Sequence, residues 1–152
     1  MISKDANDEV VIVGLSRTPI GNFQGELSGA TGPDLGASAI EAAIKNASIS
    51  PGDIDDVIMG CVLPAGLGQA PARQAALKGS VPLSAGATTV NKMCGSGMRS
   101  LMLAVDQLKA GSSKITLAGG FESMSNAPYL LDKARSGYRM GNNKIYDHMF
   151  LD

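Results

Sequence analysis

Four short runs along the chain are rich in apolar and β-branched residues. They occupy residues 10–15, 57–63, 86–91 and 114–120. Continuous apolar runs of this length are typical of strands that are covered on both faces of a sheet. The pattern therefore predicts four buried strands.

Three helical patterns separate these runs. The first spans residues 32–47, where Pro33 suits an opening turn and Asp34 favours the positive end of the helix dipole. The second and third span residues 70–79 and 95–110, and glycine ends each of them. The order βαβαβαβ predicts an α/β fold, a mostly parallel sheet with helices on both faces.

The regular pattern stops after Phe121. Residues 122–152 mix apolar and polar positions without a helical or strand period, which predicts an extended loop or hairpin region. We therefore divide the chain into an α/β part, 1–121, and a second part, 122–152. No stop signal precedes the final Asp152, so we expect a fragment of a longer protein.

Composition narrows the possible functions. The chain has 152 residues, 44% hydrophobic and 18% charged, which is enough for the core of one domain. Its net charge of −1 does not predict a nucleic-acid partner. Without an apolar run of about 18 residues or an apolar leader, we expect no membrane insertion or secretion. Its two isolated cysteines suit a reducing compartment, so the predicted location is cytoplasmic.

The residues that most often bind metals and nucleotides are poorly represented. Cys61 and Cys94 are far apart, neither belongs to a CxxC pair, and there is one histidine, so no metal site is predicted. Gly119 and Gly120 lack the GxGxxG and GKS patterns of nucleotide loops and predict only a tight turn.

Cys94 is the main candidate for chemistry, within the stretch NKMCGSGMRS. It is predicted to lie where a strand turns into a helix, and the N-terminus of a helix stabilises a thiolate. Gly95 and Gly97 are poor helix formers, costing up to ~1 kcal/mol each, so we expect something to approach the backbone there. The backbone N–H of Cys94 could also help to bind an oxyanion. Cys94 is either a nucleophile or a small buried residue.

The remaining candidates carry weaker signals. Cys61 is expected to be a core residue, and Glu122, without a paired carboxylate, is assigned no catalytic role. His148 is expected to be a surface or partly packed residue rather than a base for Cys94. A basic loop could meet a phosphate or an acidic partner, or simply be solvated; it contains Lys133, Arg135, Arg139 and Lys144. Three methionines could line a pocket or pack in the core: Met124, Met140 and Met149.

Read together with GGFESMSNAP, the stretch NKMCGSGMRS resembles the thiolase family. The segments VIVGLSRTPIGNFQGEL and GCVLPAGLGQAPARQAAL also resemble that family, in the same order. The resemblance implies two similar βαβαβαββ halves with a loop domain inserted in the first. Residues 1–121 would then be most of the first half, and residues 122–152 the incomplete start of the loop domain.

The resemblance also implies an activity. Cys94 corresponds to the nucleophile that accepts an acyl group from acyl-CoA, and Gly95, Ser96 and Gly97 would support the oxyanion at the helix N-terminus. A second acetyl-CoA, deprotonated at its α-carbon, would then attack to give acetoacetyl-CoA. The reverse reaction is thiolysis. Such an acyltransferase of fatty acid metabolism needs no metal or redox cofactor, because coenzyme A is part of its substrate.

Other parts of the family's machinery are not matched in this sequence. The activating histidine of a Gly-His-Pro motif and the acid/base cysteine of a Cys-x-Gly motif do not occur, and His148 does not match. The 152 residues alone are therefore expected to keep the nucleophile and lose turnover. A β-ketoacyl synthase would use the same fold and cysteine, and a redox-sensing module could use the cysteine alone.

Finally, the resemblance implies self-association. Family dimers form by antiparallel pairing of the strand before the cysteine, here residues 87–91. A hairpin at residues 127–144 would pair dimers into tetramers. We therefore expect a homodimer or homotetramer in the intact enzyme.

Overall fold

The computed structural model of the protein describes residues 9–151. Its helices are α1 (Gly32–Ala47), α2 (Pro71–Lys78), α3 (Ser96–Ala110) and the single turn α4 (His148–Leu151). Its strands are β1 (Asp56–Gly60), β2 (Gly86–Val90), β3 (Thr116–Gly120), β4 (Tyr129–Leu130) and β5 (Tyr146–Asp147). Within residues 9–151, no helix combines the length and the apolar character needed to cross a bilayer.

The main sheet has three parallel strands in the order β2-β1-β3. Asp56 of β1 lies opposite both Gly86 and Thr116, so the three strands end together at Gly60, Val90 and Gly120. This alignment brings the loops after all three strands to one edge of the sheet. The predicted parallel α/β fold is confirmed.

The alternating side chains of β1 divide the structure into two layers. Val57 and Met59 belong to a buried cluster with Ile40 of α1 and Ala75 of α2. Gly60 faces the other way, against the first residues of α3. Helices therefore cover both faces of the sheet, as predicted.

Helix α1 begins and ends where the sequence predicts. The hydroxyl of Thr31 accepts a hydrogen bond from the backbone N–H of Asp34, and the Asp34 carboxylate accepts from the backbone N–H of Thr31. This reciprocal capping box satisfies two donors at the helix N-terminus. At the other end, Ser48 adopts a left-handed conformation with φ of 54°.

The prediction of a strand at residues 10–15 is wrong within the described chain. Residues 9–22 form no strand, and the side chains of Val11 and Leu15 are 68% and 76% exposed. A groove of about 1070 Å³ separates residues 9–16 from β3 and α3. Within residues 9–151, β3 pairs only with β1, and no backbone hydrogen bond joins residues 9–16 to β3.

Helix α1 holds this first segment instead. The Asn46 side-chain amide donates to the carbonyl of Leu15 at 2.9 Å. A Cβ at Gly14 would lie 2.6 Å from the carbonyl oxygen of Ala43, so the two backbones are in contact. The apolar pattern that predicts a strand is therefore satisfied in part by packing on a helix, without sheet pairing.

The region after Phe121 contains a hairpin, as predicted. Strands β4 and β5 pair antiparallel, with Tyr129 opposite Asp147, and residues 131–145 between them are exposed. The start of the region remains attached to the α/β part, because Asn126 donates to the carbonyl groups of Ser28 and Ala30, each at 3.0 Å. The division of the chain at residue 121 stays a prediction.

Candidate active site

Cys94 lies at the edge of the sheet where the three parallel strands end. It is exposed and stands between the end of β2 at Val90 and the start of α3 at Ser96. Loops after the carboxyl ends of parallel strands are the usual ligand sites of open α/β sheets. The predicted place of Cys94, between a strand and a helix, is confirmed.

Two polar side chains hold the turn that carries Cys94, residues 91–96, called the Cys94 turn below. The Asn91 side-chain oxygen accepts a hydrogen bond from the backbone N–H of Met93 at 2.9 Å. The Ser96 hydroxyl accepts from the backbone N–H of Lys92 at 2.8 Å and donates to the carbonyl of Met93 at 2.6 Å. Met93 has a left-handed conformation with φ of 51°. Asn91 and Ser96 thus fix the direction in which the chain reaches Cys94.

The backbone of this turn uses two of the amides that were predicted to support an oxyanion. The N–H of Gly95 donates to the carbonyl of Lys92 at 3.1 Å, and the N–H of Ser96 donates to the carbonyl of Met93 at 3.0 Å. Both groups are therefore engaged inside the turn. The oxyanion role of Gly95, Ser96 and Gly97 stays a prediction, whereas the support that the Ser96 side chain gives to the turn is part of the structure.

The start of α3 packs closely on the ends of two strands. An added Cβ at Gly60 would lie 2.6 Å from the nitrogen of Gly97, and one at Gly120 would lie 3.2 Å from the Cα of Gly97. Helix α3 therefore begins in backbone contact with the ends of β1 and β3. The close approach expected at Gly95 and Gly97 is therefore found at Gly60 and Gly120, where a Cβ would clash. A Cβ at Gly97 would lie 3.8 Å from its nearest neighbour, and one at Gly95 would lie 3.4 Å from the carbonyl oxygen of Lys92.

Glu122 is a structural residue of this edge that the sequence analysis missed. Its carboxylate accepts the backbone N–H of Val62 at 2.7 Å and that of Leu63 at 3.1 Å. It also lies 3.5 Å from the thiol of Cys61. The position of a carboxylate just beyond a strand could have indicated this role, because such a group can accept hydrogen bonds from the free amides of a neighbouring loop.

Cys61 is a core residue, as predicted. Its side chain is buried at the end of β1. Burial, followed by the charge and hydrogen bond of Glu122, raises the pKa of the Cys61 thiol to about 12. The two cysteines therefore have opposite environments, because Cys94 is exposed.

His148 does not complete a dyad with Cys94. It begins α4, and its backbone N–H donates to the carbonyl of Pro128 at 3.2 Å. Within residues 9–151, no hydrogen bond joins its side chain to the Cys94 turn. It is buried rather than on the surface.

The other predicted candidates lie apart from the turn. Met124 and Met149 line a cavity of about 750 Å³ together with residues 16–23, whereas Met140 is 95% exposed. The four basic residues of the loop are exposed: Lys133, Arg135, Arg139 and Lys144. No three His, Cys, Asp or Glu side chains in the described chain converge in a way that could hold a metal ion.

Comparisons with known proteins agree with this fold. The family described as thiolase, N-terminal domain, matches residues 10–152. An acetyl-CoA acetyltransferase of Cupriavidus necator is 48% identical over 144 residues, which are 95% of this chain and 37% of the relative. An acetyl-CoA acetyltransferase of Escherichia coli is 52% identical over 143 residues, 93% of this chain and 36% of the relative. Acetyl-CoA acetyltransferase 1 of Arabidopsis thaliana is 49% identical over 144 residues, 95% of this chain and 35% of the relative. The chain thus spans little more than a third of the length of these relatives, and it belongs to the thiolase family.

Proposed function

We propose that the protein is an acetyl-CoA acetyltransferase in which Cys94 carries the acetyl group. The observation that supports this most is the position of an exposed thiol on a fixed turn at the carboxyl edge of a parallel sheet. The acetyl-CoA acetyltransferases that are about half identical to this chain supply the substrate class.

The proposed reaction has two steps. The Cys94 thiolate attacks the thioester carbonyl of acetyl-CoA, a new carbon–sulfur bond forms, and coenzyme A leaves and takes up a proton. A second acetyl-CoA then loses a proton from its α-carbon, and this carbon attacks the acetyl-cysteine. Acetoacetyl-CoA forms and Cys94 leaves as a thiolate. The reverse sequence is thiolysis, and no electron is transferred in either direction.

The first step can be tested directly. The protein is incubated with labelled acetyl-CoA and digested, and the label is located by peptide mass spectrometry. We expect acetylation of Cys94, its loss in Cys94→Ser, and its retention in the control Cys61→Ser, because Cys61 is buried. Acetylation of Cys61, or turnover that survives Cys94→Ser, would contradict the proposal.

We propose that the second step needs catalytic groups that the residues around Cys94 do not supply. Among residues 9–151, the hydrogen bonds around Cys94 come from Asn91, Ser96 and the turn's own backbone, and none comes from a histidine or a second thiol. We therefore expect the 152-residue chain to be acetylated at most once and to release no acetoacetyl-CoA. Release of acetoacetyl-CoA by this chain alone would refute that expectation.

We also propose that the intact enzyme is a homodimer paired through β2, which is an edge strand. Gly86 and Val90 direct their backbone bonds to the β1 side, to Asp55 and Cys61 respectively. Because backbone groups alternate along a strand, those of Ala87 and Thr89 face the free edge. Ala87→Pro should remove an outward N–H and lower the dimer fraction in analytical ultracentrifugation. A dimer unchanged by Ala87→Pro would contradict this interface.

For the tetramer, we propose contacts through the hairpin at residues 127–144. Support comes from its exposed apolar side chains, since Leu131 is 49% exposed and Met140 is 95% exposed. Exposed apolar groups in a solvated loop favour association. Met140→Ser combined with Leu131→Ser should convert tetramers to dimers without changing Cys94 acetylation. Tetramers that persist in this variant would exclude the hairpin contact.

A cytoplasmic location and a role in fatty acid metabolism complete the proposal. Free thiols at Cys61 and Cys94 support a reducing compartment. An acetyl-CoA substrate supports the metabolic role. Cell fractionation with an antibody to the protein tests the location, and recovery outside the soluble cytoplasmic fraction would refute it.

A further inference from the structure

The carboxylate of Glu122 acts as a clamp on the loop that follows β1. It accepts the backbone N–H groups of Val62 and Leu63 at 2.7 and 3.1 Å. Hydrogen bonds to an ionised acceptor are shorter and stronger than neutral ones. The loop is thus tied to the end of β3, where Glu122 follows Phe121.

The clamped loop in turn contacts the Cys94 turn. The carbonyl of Val62 accepts a hydrogen bond from the Asn91 side-chain amide at 3.3 Å. The oxygen of the same amide accepts the N–H of Met93 at 2.9 Å. Three successive hydrogen bonds therefore connect the Glu122 carboxylate to the residue that precedes Cys94.

We propose that Glu122 is a positioning residue for Cys94, acting through Val62 and Asn91. This inference rests on the proposed function, because it concerns the same thiol. Glu122 fixes the loop, the loop fixes the Asn91 side chain, and Asn91 fixes the backbone of Met93 in its left-handed conformation. Glu122 itself exchanges no proton with the substrate.

The chain offers a matched control for this clamp. The Asp55 carboxylate accepts the backbone N–H groups of Lys114 and Ile115 at 2.6 and 3.0 Å. Asp55 precedes β1 and so lies at the opposite end of the sheet from Cys94. Glu122→Gln and Asp55→Asn each weaken a carboxylate clamp on two amides, but only the first lies beside the Cys94 turn.

The test compares these variants in the intact enzyme. We expect Glu122→Gln to lower kcat about 10- to 100-fold while KM for acetyl-CoA stays within about twofold, because small misplacements of a reacting group have effects of that size. Asp55→Asn should leave both constants within about twofold of the wild type. Equal losses in the two variants, or a Glu122→Gln enzyme with wild-type kcat, would overturn the inference.

A second readout separates this inference from the proposed function. The rate at which iodoacetamide alkylates Cys94 needs no acetyl transfer, and we expect Glu122→Gln and Asn91→Ala each to slow it. Because both changes break one chain of bonds, the double variant should be no slower than the slower single variant. Additive effects would refute the connection. If the variants slow alkylation as expected but labelled acetyl-CoA does not acetylate the wild type, the proposed function would be refuted and the role of Glu122 in positioning Cys94 would stand.

Discussion

A methyl group added to Gly60 would lie 2.5 Å from the carbonyl carbon of Ser96. The last residue of β1 thus touches the first residue of α3 through backbone atoms. Cβ atoms do not approach backbone carbon so closely, so a side chain at position 60 must push the helix away. The end of β1 therefore determines where α3 begins, and with it the position of Cys94 two residues earlier.

Gly60→Ala should destabilise the protein by about 1–3 kcal/mol, the usual cost of an extra methyl group in a tightly packed site. The free energy of unfolding in urea measures this change. Gly97→Ala is the control, because the nearest atom to a Cβ there is 3.8 Å away. It should be neutral or up to about 1 kcal/mol more stable, since alanine favours helices. A Gly60→Ala variant as stable as Gly97→Ala would contradict the contact.

The two thiols should react in a fixed order. Iodoacetamide should modify the exposed Cys94 in the folded protein and reach the buried Cys61 only after unfolding. Intact mass and peptide mapping follow the reaction, with Cys94→Ser as the control that should take up no label under native conditions. Rapid labelling of Cys61 in folded Cys94→Ser would be inconsistent with its burial.

The pKa of Cys61 also predicts how stability changes in alkali. Burial and Glu122 raise that pKa from 9.0 to about 12. Between these values the unfolded thiol is ionised while the folded thiol keeps its proton, so stability falls as pH rises. Its contribution is fully present below pH 9.0 and is lost as pH passes about 12. Cys61→Ala should flatten this decline in urea unfolding curves, and an unchanged slope would contradict the assignment.

Most of the α/β architecture could be predicted because its signals are local. The capping box of Thr31 and Asp34, and the left-handed Gly111 at the end of α3, depend on residues that are neighbours in sequence. The apolar runs that became β1, β2 and β3 differ from the prediction only at their ends.

The errors come from contacts between distant residues. The run at residues 10–15 has the composition of a strand, but pairing depends on a neighbour, and α1 is its neighbour here. Glu122 meets Val62 across 60 positions of sequence. Neither an apolar run nor a lone carboxylate indicates its partner, so the clamp behind the Cys94 turn was visible only in the fold.

An exposed ion pair between α1 and α2 predicts an effect in acid. A hydrogen bond from Lys78, followed by those from Thr31, lowers the pKa of Asp34 from 3.8 to about 2. Its contribution to stability is therefore present above pH 3.8 and is lost as pH falls through about 2. Lys78→Met should raise this pKa while leaving it below 3.8, because the Thr31 bonds remain.

Nuclear magnetic resonance of the Asp34 carboxyl carbon measures that shift directly. Lys45→Met, which removes a positive charge from the last turn of α1, should leave the Asp34 pKa unchanged. Lys78→Met should lower the free energy of unfolding at neutral pH by less than about 1 kcal/mol, since exposed ion pairs contribute little. An Asp34 pKa that moves equally in both variants would point to net charge rather than to the ion pair.

Ser100, in the second turn of α3, connects this helix to β3. Its hydroxyl is fully buried and lies 2.6 Å from the carbonyl oxygens of both Gly97 and Gly119. With a single hydrogen it donates to one of them at a time. Ser100→Ala should therefore cost about 1–3 kcal/mol, because a buried carbonyl loses its donor.

Ser112→Ala removes an exposed hydroxyl bonded to the Gln107 carbonyl and should cost less than about 0.5 kcal/mol. Urea unfolding with an unchanged slope measures both, and equal costs would show that the buried hydroxyl adds nothing beyond an ordinary surface bond.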